Sequence, residues 1–595
     1  MLTTLTAPAF AGTWYIEDGD ITISAGESGN NVTQNNETTY GDTGTIITNH
    51  DKDTASSHTV TIDAKDEDDK VEVTLKDVNI DASSRSEAAV SVTGKGDTTI
   101  ELDGDNELKS GAGHAGLEHN KTDTSGELTI QDKDNNGSLE AAGGFKGAGI
   151  GSAGSNDAQV KITGGNITAT SDDWGAGIGS GSYGTGTVEI TGGEINATGG
   201  YLGAGIGGGC NGSGNVTISG GTITAAGSDG AAGIGGGYYN GATVTITGDA
   251  VIKNASSTKY GAGIGGGNGS DGNVTISGNA KIENATGGYG AAGIGGGAFS
   301  SPDKIGNGNV VIKDNAKIDN VQGGAYGSGI GGGIYGLSNV TIEGNTKVNA
   351  TGGAGGAAIG GGAGAENNSD NNGNQITIKS NENGSPTINA VGGGTDEGEK
   401  IVIGGAGIGA GCESDADADI TLEGKVTITA TAGKDNVAIG ANGIEQEFSG
   451  LAEGSSITRY DPEGNDITLP TDPGYPVPAD TSSSGGGSAD ASVQESVFPG
   501  LVVTDKDGQR ISYTSIRGNN VLSIRVGRFT ASLRASLATL RQLRAEGIDT
   551  ITFQTILRST TLSVDELLAM GGEDTEVVLT HHIRSSTLTV GGKAV

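Results

Sequence analysis

Nine aromatic side chains recur at two fixed places around a repeated Gly-Ile-Gly, and they are the first candidates for chemistry. Trp174, Tyr201, Tyr260, Tyr289 and Tyr326 each stand just before a Gly-Ile-Gly, and Tyr183, Tyr239, Phe299 and Tyr335 each stand five residues after its isoleucine. If the repeats stack, each set forms a column with a spacing of about 4.8 Å or a multiple of it. Rows of flat rings suit the apolar faces of sugars, while Asn, Thr and Asp at the rim can bond hydroxyls. The same columns could equally staple the corners of the fold through ring–ring contacts. Spacing alone does not separate the two.

Oxygen ligands form the second group of candidates. Asp132, Asp134 and Asn136 follow the opening spacing of a calcium loop, but its twelfth position is Gly143 where an EF-hand places Glu. The segment also reads as a plain Asn-Gly turn. Asp415, Asp417 and Asp419 alternate, so an extended strand would put three carboxylates on one face. Such a row repels itself unless it is solvated or bridged by a cation. Calcium is the one cofactor these residues suggest. Catalysis has no comparable signal: six histidines show no metal spacing, and no pair of facing carboxylates is marked among the acids. The adjacent His581 and His582 read as structural. The chain is expected not to be an enzyme, with a polysaccharide lyase or glycosidase as the lesser alternative.

The elements that would position these residues come from a repeat. An Ala-Gly-Ile-Gly or near match places isoleucine at 150, 178, 206, 234, 264, 294, 330, 359, 408 and 439, in steps of 28, 28, 28, 30, 30, 36, 29, 49 and 31. The 49-residue step is expected to hold two coils or a large loop around Asn367 to Asn374. Between isoleucines the pattern is constant. In residues 203–230 the wall is followed by the turn Asn211–Gly214, the alternating Asn215–Ser219, a Gly220-Gly221 break and Thr222–Ala225. Alternation buries Val216 and Ile218 and exposes Thr217. One unit cannot bury these side chains alone, whereas stacked units make a continuous aliphatic column.

The expected fold is therefore all-β, a right-handed parallel β-helix solenoid of about fifteen coils at roughly 30 residues each. A propeller is the weaker alternative, because a blade needs about forty residues and four strands. Ile252, Ile282, Ile318 and Val348 should align as one inner column. Asn254, Asn284 and Asn320 should form a ladder that satisfies buried polar groups. Ice binding is set aside, because Thr-x-Thr arrays do not read as sustained on one face.

Composition agrees. Glycine supplies 114 of 595 residues and proline only 9, which excludes collagen. A net charge of −38 repels nucleic acid and anionic membranes and attracts cations, so no nucleic-acid partner and no membrane span are expected. Cys210 and Cys412 occupy equivalent places in coils far apart along the axis and should be free thiols.

Five segments follow. Residues 1–11 look like a signal-peptide remnant, with a small-x-small site at Ala9-Phe10-Ala11. This points to a secreted or bacterial cell-surface protein. Residues 12–146 read as an N-terminal cap and irregular first coils, 147–460 as regular coils, and 461–496 as a Pro/Ser/Gly linker. Residues 497–595 carry 11 basic against 9 acidic side chains, compared with 23 against 63 before them. They are expected to form a small α+β module, with a helix over Thr530–Glu546 whose Leu533, Leu537, Leu540 and Leu543 share one face.

Residues Thr74–Ile80, Lys95–Leu108 and Gly126–Ile130 resemble the clostridial carbohydrate-binding β-helix family, and the later Gly-Ala-Gly-Ile-Gly-Gly-Gly coils are similar to glycine-rich Firmicutes surface proteins. The resemblance covers roughly residues 12–450. It implies a pectate-lyase-like β-helix without lyase activity that binds plant cell-wall polysaccharide such as cellulose or polygalacturonate, with calcium. It assigns no individual residue. The resulting expectation is a non-catalytic polysaccharide-binding protein, with an adhesin or stalk making protein or cell-surface contacts as the alternative.

Overall fold

The computed structural model describes residues 11–298, 301, 304–367, 373–394, 403–475, 500–505, 508–511, 513–518, 520–526, 528, 530–555, 558–572, 575–582 and 585–594. Candidate Phe299 and most of the expected signal remnant lie outside them. The chain divides into two compact units, one reaching Tyr475 and one comprising mainly the residues beyond it.

The first unit is a parallel β-solenoid of about sixteen turns. Each turn contributes one strand to each of two broad walls and a two-residue strand to a narrow one. On the first broad wall Gly186–Ile190 pairs with Gly214–Ile218, and that with Ala242–Ile246, in parallel and in register. On the second, Asn166–Ser171 pairs with Glu194–Thr198 and that with Thr222–Asp229. The narrow strands pair isoleucine on isoleucine, as in Ile178–Ile206–Ile234. The alternation read from sequence is the inside–outside alternation of these walls: Val216 and Ile218 are buried and Thr217 is exposed. Each buried aliphatic side chain contributes about 1.5–3 kcal/mol. The column Ile252–Ile282–Ile318–Val348 forms as expected.

Two expectations about the solenoid change. The 49-residue step holds one coil, not two, because Ile359 pairs directly with Ile408. Of the expected asparagine ladder one rung forms, Asn320 donating to Asn284 at 3.1 Å on the outer surface, while Asn254 donates to Ser256 Oγ at 3.3 Å and Asn284 to Lys253 O at 3.0 Å. The rung spans neighbouring coils and satisfies no buried group. A parallel outer ladder runs Asp249–Asn279–Asn315–Asn345 at 3.0–3.3 Å.

Both ends of the solenoid carry a buried charge. Antiparallel strands Ile21–Gly26, Gly29–Gln34 and Glu37–Asp42 adjoin the first coils. Buried Asp42 accepts from Gly12 N at 2.9 Å and from Trp14 Nε1 at 2.8 Å. At the other end Arg459 stands in register with inward-facing Ala430 and turns its guanidinium into the stack. Asp472 meets it there with both oxygens, at 2.6 and 2.8 Å. This contact holds residues 461–475, expected to begin the linker, on the solenoid.

The second unit contains a five-stranded and a four-stranded sheet over one apolar core. Its helix is shorter than expected. Ala531–Ser536 is a strand between Leu501–Thr504 and Glu576–His581, and the helix spans Leu537–Ala545. Ser536 Oγ accepts from Thr539 N at 3.1 Å and fixes the switch. Ala531, Leu533 and Ala535 also fit a period of two, so Leu533 belongs to the strand. No helix among the described residues is long and apolar enough to cross a membrane.

Candidate functional site

The aromatic site is built by the glycine-rich segment. This segment is more than a third wall, because it doubles back around its isoleucine. Ala204 N–H donates to Gly208 O at 2.9 Å, and Ala176 and Ala232 do the same in neighbouring coils. The doubled backbone is packed tightly on neighbouring backbone. A Cβ on Gly207 would lie 2.1 Å from Gly235 O, and its φ of +130° already disfavours other residues.

This doubling brings the two corners of each coil together. Trp174 O accepts from Cys210 N at 2.7 Å, and Cys210 O accepts from Tyr183 N at 2.7 Å. The same ladder links Tyr326, Ala363 and Tyr335 at 2.9 and 2.8 Å. The two sets of aromatic residues, expected as separate columns, therefore line one seam along the solenoid.

Within the seam the rings alternate in register. Trp174, Tyr260 and Tyr326 sit four residues before the isoleucine, whereas Tyr201 and Tyr289 sit five before it. Asp173, not Trp174, is the residue in register with Tyr201. The rings meet at angles: Tyr260 and Tyr289 lie 6.2 Å apart at 87°, and Tyr289 and Tyr326 lie 5.5 Å apart at 69°. The result is a herringbone of faces and edges instead of a coplanar row. Tyr183, Tyr201, Tyr260, Tyr289 and Tyr335 remain 38–57% exposed.

Two members escaped the sequence reading. Phe145 stands five residues before Ile150, with its ring 5.4 Å from Trp174. Tyr238 lies 3.7 Å from Tyr239 and leans over the corner at Gly230, where a Cβ would come within 2.4 Å of its ring. Burial, with Tyr239 beside it, pushes the Tyr238 hydroxyl above the ordinary tyrosine range. Both had a signal, an aromatic residue within five positions of the isoleucine. Lysines complete the seam: Lys146 Nζ lies 5.2 and 5.1 Å from the Phe145 and Trp174 rings, and Lys304 Nζ lies 4.2 Å from that of Tyr239. Such a surface can take the apolar face of a ring-shaped ligand and bond its hydroxyls.

Six of the aromatic residues occupy left-handed backbone: Trp174, Tyr183, Tyr239, Tyr260, Tyr326 and Tyr335, with φ from 55° to 71°. Some coils place glycine at the equivalent corners, as at Gly230, Gly290, Gly269 and Gly364, and others place Lys146, Ser155, Leu202 or Asn211 there, also at positive φ.

The candidate metal groups fare differently. Asp132, Asp134 and Glu101 bring one oxygen each within 4.8 Å of one another. Glu101 comes from the preceding coil, so sequence spacing could not show it. Asn136 turns its side-chain amide to Asp134 at 3.1 Å, and its N–H donates to Asp132 at 3.2 Å, so it serves the turn. Lys133 Nζ lies 3.5 Å from Glu101 and offsets the cluster's charge. Asp415, Asp417 and Asp419 are exposed and do not converge. Alternate residues on extended chain lie about 6.7 Å apart, and Asn367 and Asn442 already bond the Asp417 carboxylate at 3.2 and 3.3 Å.

Both cysteines are free and buried, and burial raises each thiol to about 11, so they remain protonated. His581 is also buried, between the hydroxyls of Thr555 and Thr560 at 3.1 and 2.9 Å, with its pKa held below the ordinary value by burial.

The beta helix repeat family model matches residues 160–182, 188–210, 216–238 and 274–298. The first three stretches each run from the first broad wall through the second to the glycine-rich segment. Repeat and stacking together define a parallel β-helix repeat protein. No curated protein and no solved structure matches the chain.

Proposed function

We propose that the aromatic seam binds an extracellular polysaccharide without acting on it, on a secreted or surface-attached protein. The observation that carries this reading is the placement of Tyr239, Tyr260, Tyr326 and Tyr335 at left-handed corners where an adjacent coil uses glycine. Left-handed backbone costs a non-glycine residue about 1–2 kcal/mol. An edge-to-face ring contact returns about 0.5–1.5 kcal/mol, so bracing alone scarcely offsets the strain. Five rings of the seam, Tyr183, Tyr201, Tyr260, Tyr289 and Tyr335, also stay 38–57% exposed, which a staple does not need. The acidic solenoid, 63 acids against 23 bases before residue 497, favours an uncharged glycan over a polyanion. Glu101, Asp132 and Asp134 are the residues that would hold calcium, bracing a corner outside the seam.

The test is a polysaccharide array probed with the intact protein and with the triple variant Trp174→Gly, Tyr201→Ala, Tyr260→Gly. Binding should fall at least about tenfold, roughly 1.4 kcal/mol, while the melting temperature holds. Unchanged glycan binding by the folded variant refutes the reading. The division into two units favours a second reading, an adhesin whose solenoid is a stalk. That reading requires partner capture to survive replacement of the solenoid by an unrelated spacer.

A further inference from the structure

We propose that the outer face of the first broad wall is a separate binding face whose ligand is the ordered surface of ice. This face is distinct from the aromatic seam and does not depend on it. One outward column reads Thr217, Thr245, Thr275, Val311, Thr341 and Thr377, each in register with the next. Beside it, two residues earlier on each strand, runs Asn215, Thr243, Asn273, Asn309, Asn339 and Gln375. The array that did not read as sustained in the sequence lines up once the coils are stacked, with asparagine or glutamine in place of the first threonine in five of the six pairs and Val311 in place of the second in one.

Three observations set this face apart. Its twelve positions form an uncharged patch, bordered on the same wall by Glu189, Glu343 and Lys379, in a chain of net charge −38. Both walls carry ion pairs elsewhere: on the second Lys281 bridges Glu283 at 2.8 Å and Asp319 at 3.1 Å, and on the first Lys161 lies 3.5 Å from Glu189 and Lys379 lies 3.4 Å from Glu343. The first wall also pairs residue for residue through these coils, whereas the second shifts register at Ile223/Thr224 and at Ile318/Val321. Finally, Asn309 donates to Asn273 at 2.9 Å, which fixes amides as rungs of the array.

The consequence is a rectangular grid of hydroxyl and amide groups, about 4.8 Å along the axis and about 6.7 Å across it. Those intervals approximate the oxygen repeats on a prism face of ice. Threonine suits the grid because its β-branch restricts χ1 and holds methyl and hydroxyl in place. An ion would orient water around itself and break the lattice, so the face extends only over the patch bounded by Glu189, Glu343 and Lys379.

The test is growth of single ice crystals in solutions of the full chain. Faceted crystals and a gap between melting and growth temperatures are expected. The double variant Thr245→Lys, Thr275→Lys should lose both effects, and Thr168→Lys, Thr198→Lys on the second wall should keep them, with circular dichroism unchanged in each. Round crystals that grow freely in the presence of folded wild-type protein overturn the proposal. So does retention on crystalline polysaccharide that Thr245→Lys, Thr275→Lys abolishes, if no ice shaping is seen, since the grid then serves a glycan lattice.

Discussion

Asp472→Ala should open the last coils of the solenoid and leave the middle intact. Arg459 and Asp472 have fully buried side chains and face each other through two hydrogen bonds. The guanidinium also donates to Gln446 O at 2.7 Å and lies 5.7 Å from the Phe448 ring. Removing the carboxylate strands a buried cation among groups that cannot replace it, at a loss of about 3–5 kcal/mol. Replacing both partners with apolar residues of similar size, Arg459→Met with Asp472→Leu, should be close to neutral, because the desolvation of both charges disappears with the pair. A solenoid transmits such damage only to neighbouring coils. A loss of about 4 kcal/mol raises local opening roughly a thousandfold. Amide hydrogen exchange reads this directly: Thr427–Thr431 and Ser456–Tyr460 should exchange faster by about that factor, with Gly214–Ile218 unaffected. Equal damage in the single and double variants, or loss spread evenly along the solenoid, refutes the reasoning.

Two further predictions concern other parts of the chain. Gly207→Ala should cost roughly 3 kcal/mol, from positive φ and backbone contact together, seen as a lower urea midpoint for the solenoid. His581 has its pKa lowered by burial, so the unfolded chain binds its proton more readily. Stability of the second unit should therefore be complete above about pH 6.5 and decline as pH falls below it. Protease resistance of residues 500–594 in the full chain should show that decline, and His581→Gln should flatten it.

The repeat was legible because a two-residue alternation and a near-constant period are both properties of neighbours in sequence. What the sequence could not show depends on neighbours in the stack. Glu101 joins Asp132 from another coil, and the two aromatic sets meet through a hydrogen-bonded ladder between coils. The threonine–asparagine grid was missed for a related reason. Thr243-Val-Thr245 looks isolated in one strand and becomes a lattice only beside Asn215-Val-Thr217 and Asn273-Val-Thr275. The helix expected over Thr530–Glu546 failed differently. Leucines at 533, 537 and 540 satisfy a helical period, but Ser536 makes a better N-cap than a helix interior residue, and the alternating residues before it continue a sheet.

The same argument explains why chemistry should concentrate at the corners and faces instead of in a pocket. Stacking fills the interior with aliphatic columns and, in the doubled segments, with backbone, so the chain's variable choices are made outside. At the left-handed corners the least strained choice is glycine, and several coils make it. Where the chain places tyrosine or tryptophan at such a corner, the packing of that coil did not require the ring, because a neighbouring coil packs without one. The ring must therefore be accounted for by something outside the coil. Either an adjacent ring meets it, as Tyr289 meets Tyr260 and Tyr326, or a ligand does. Tyr183, 57% exposed, has no ring contact among those found between described residues. It is the position at which the ligand reading is most exposed to test.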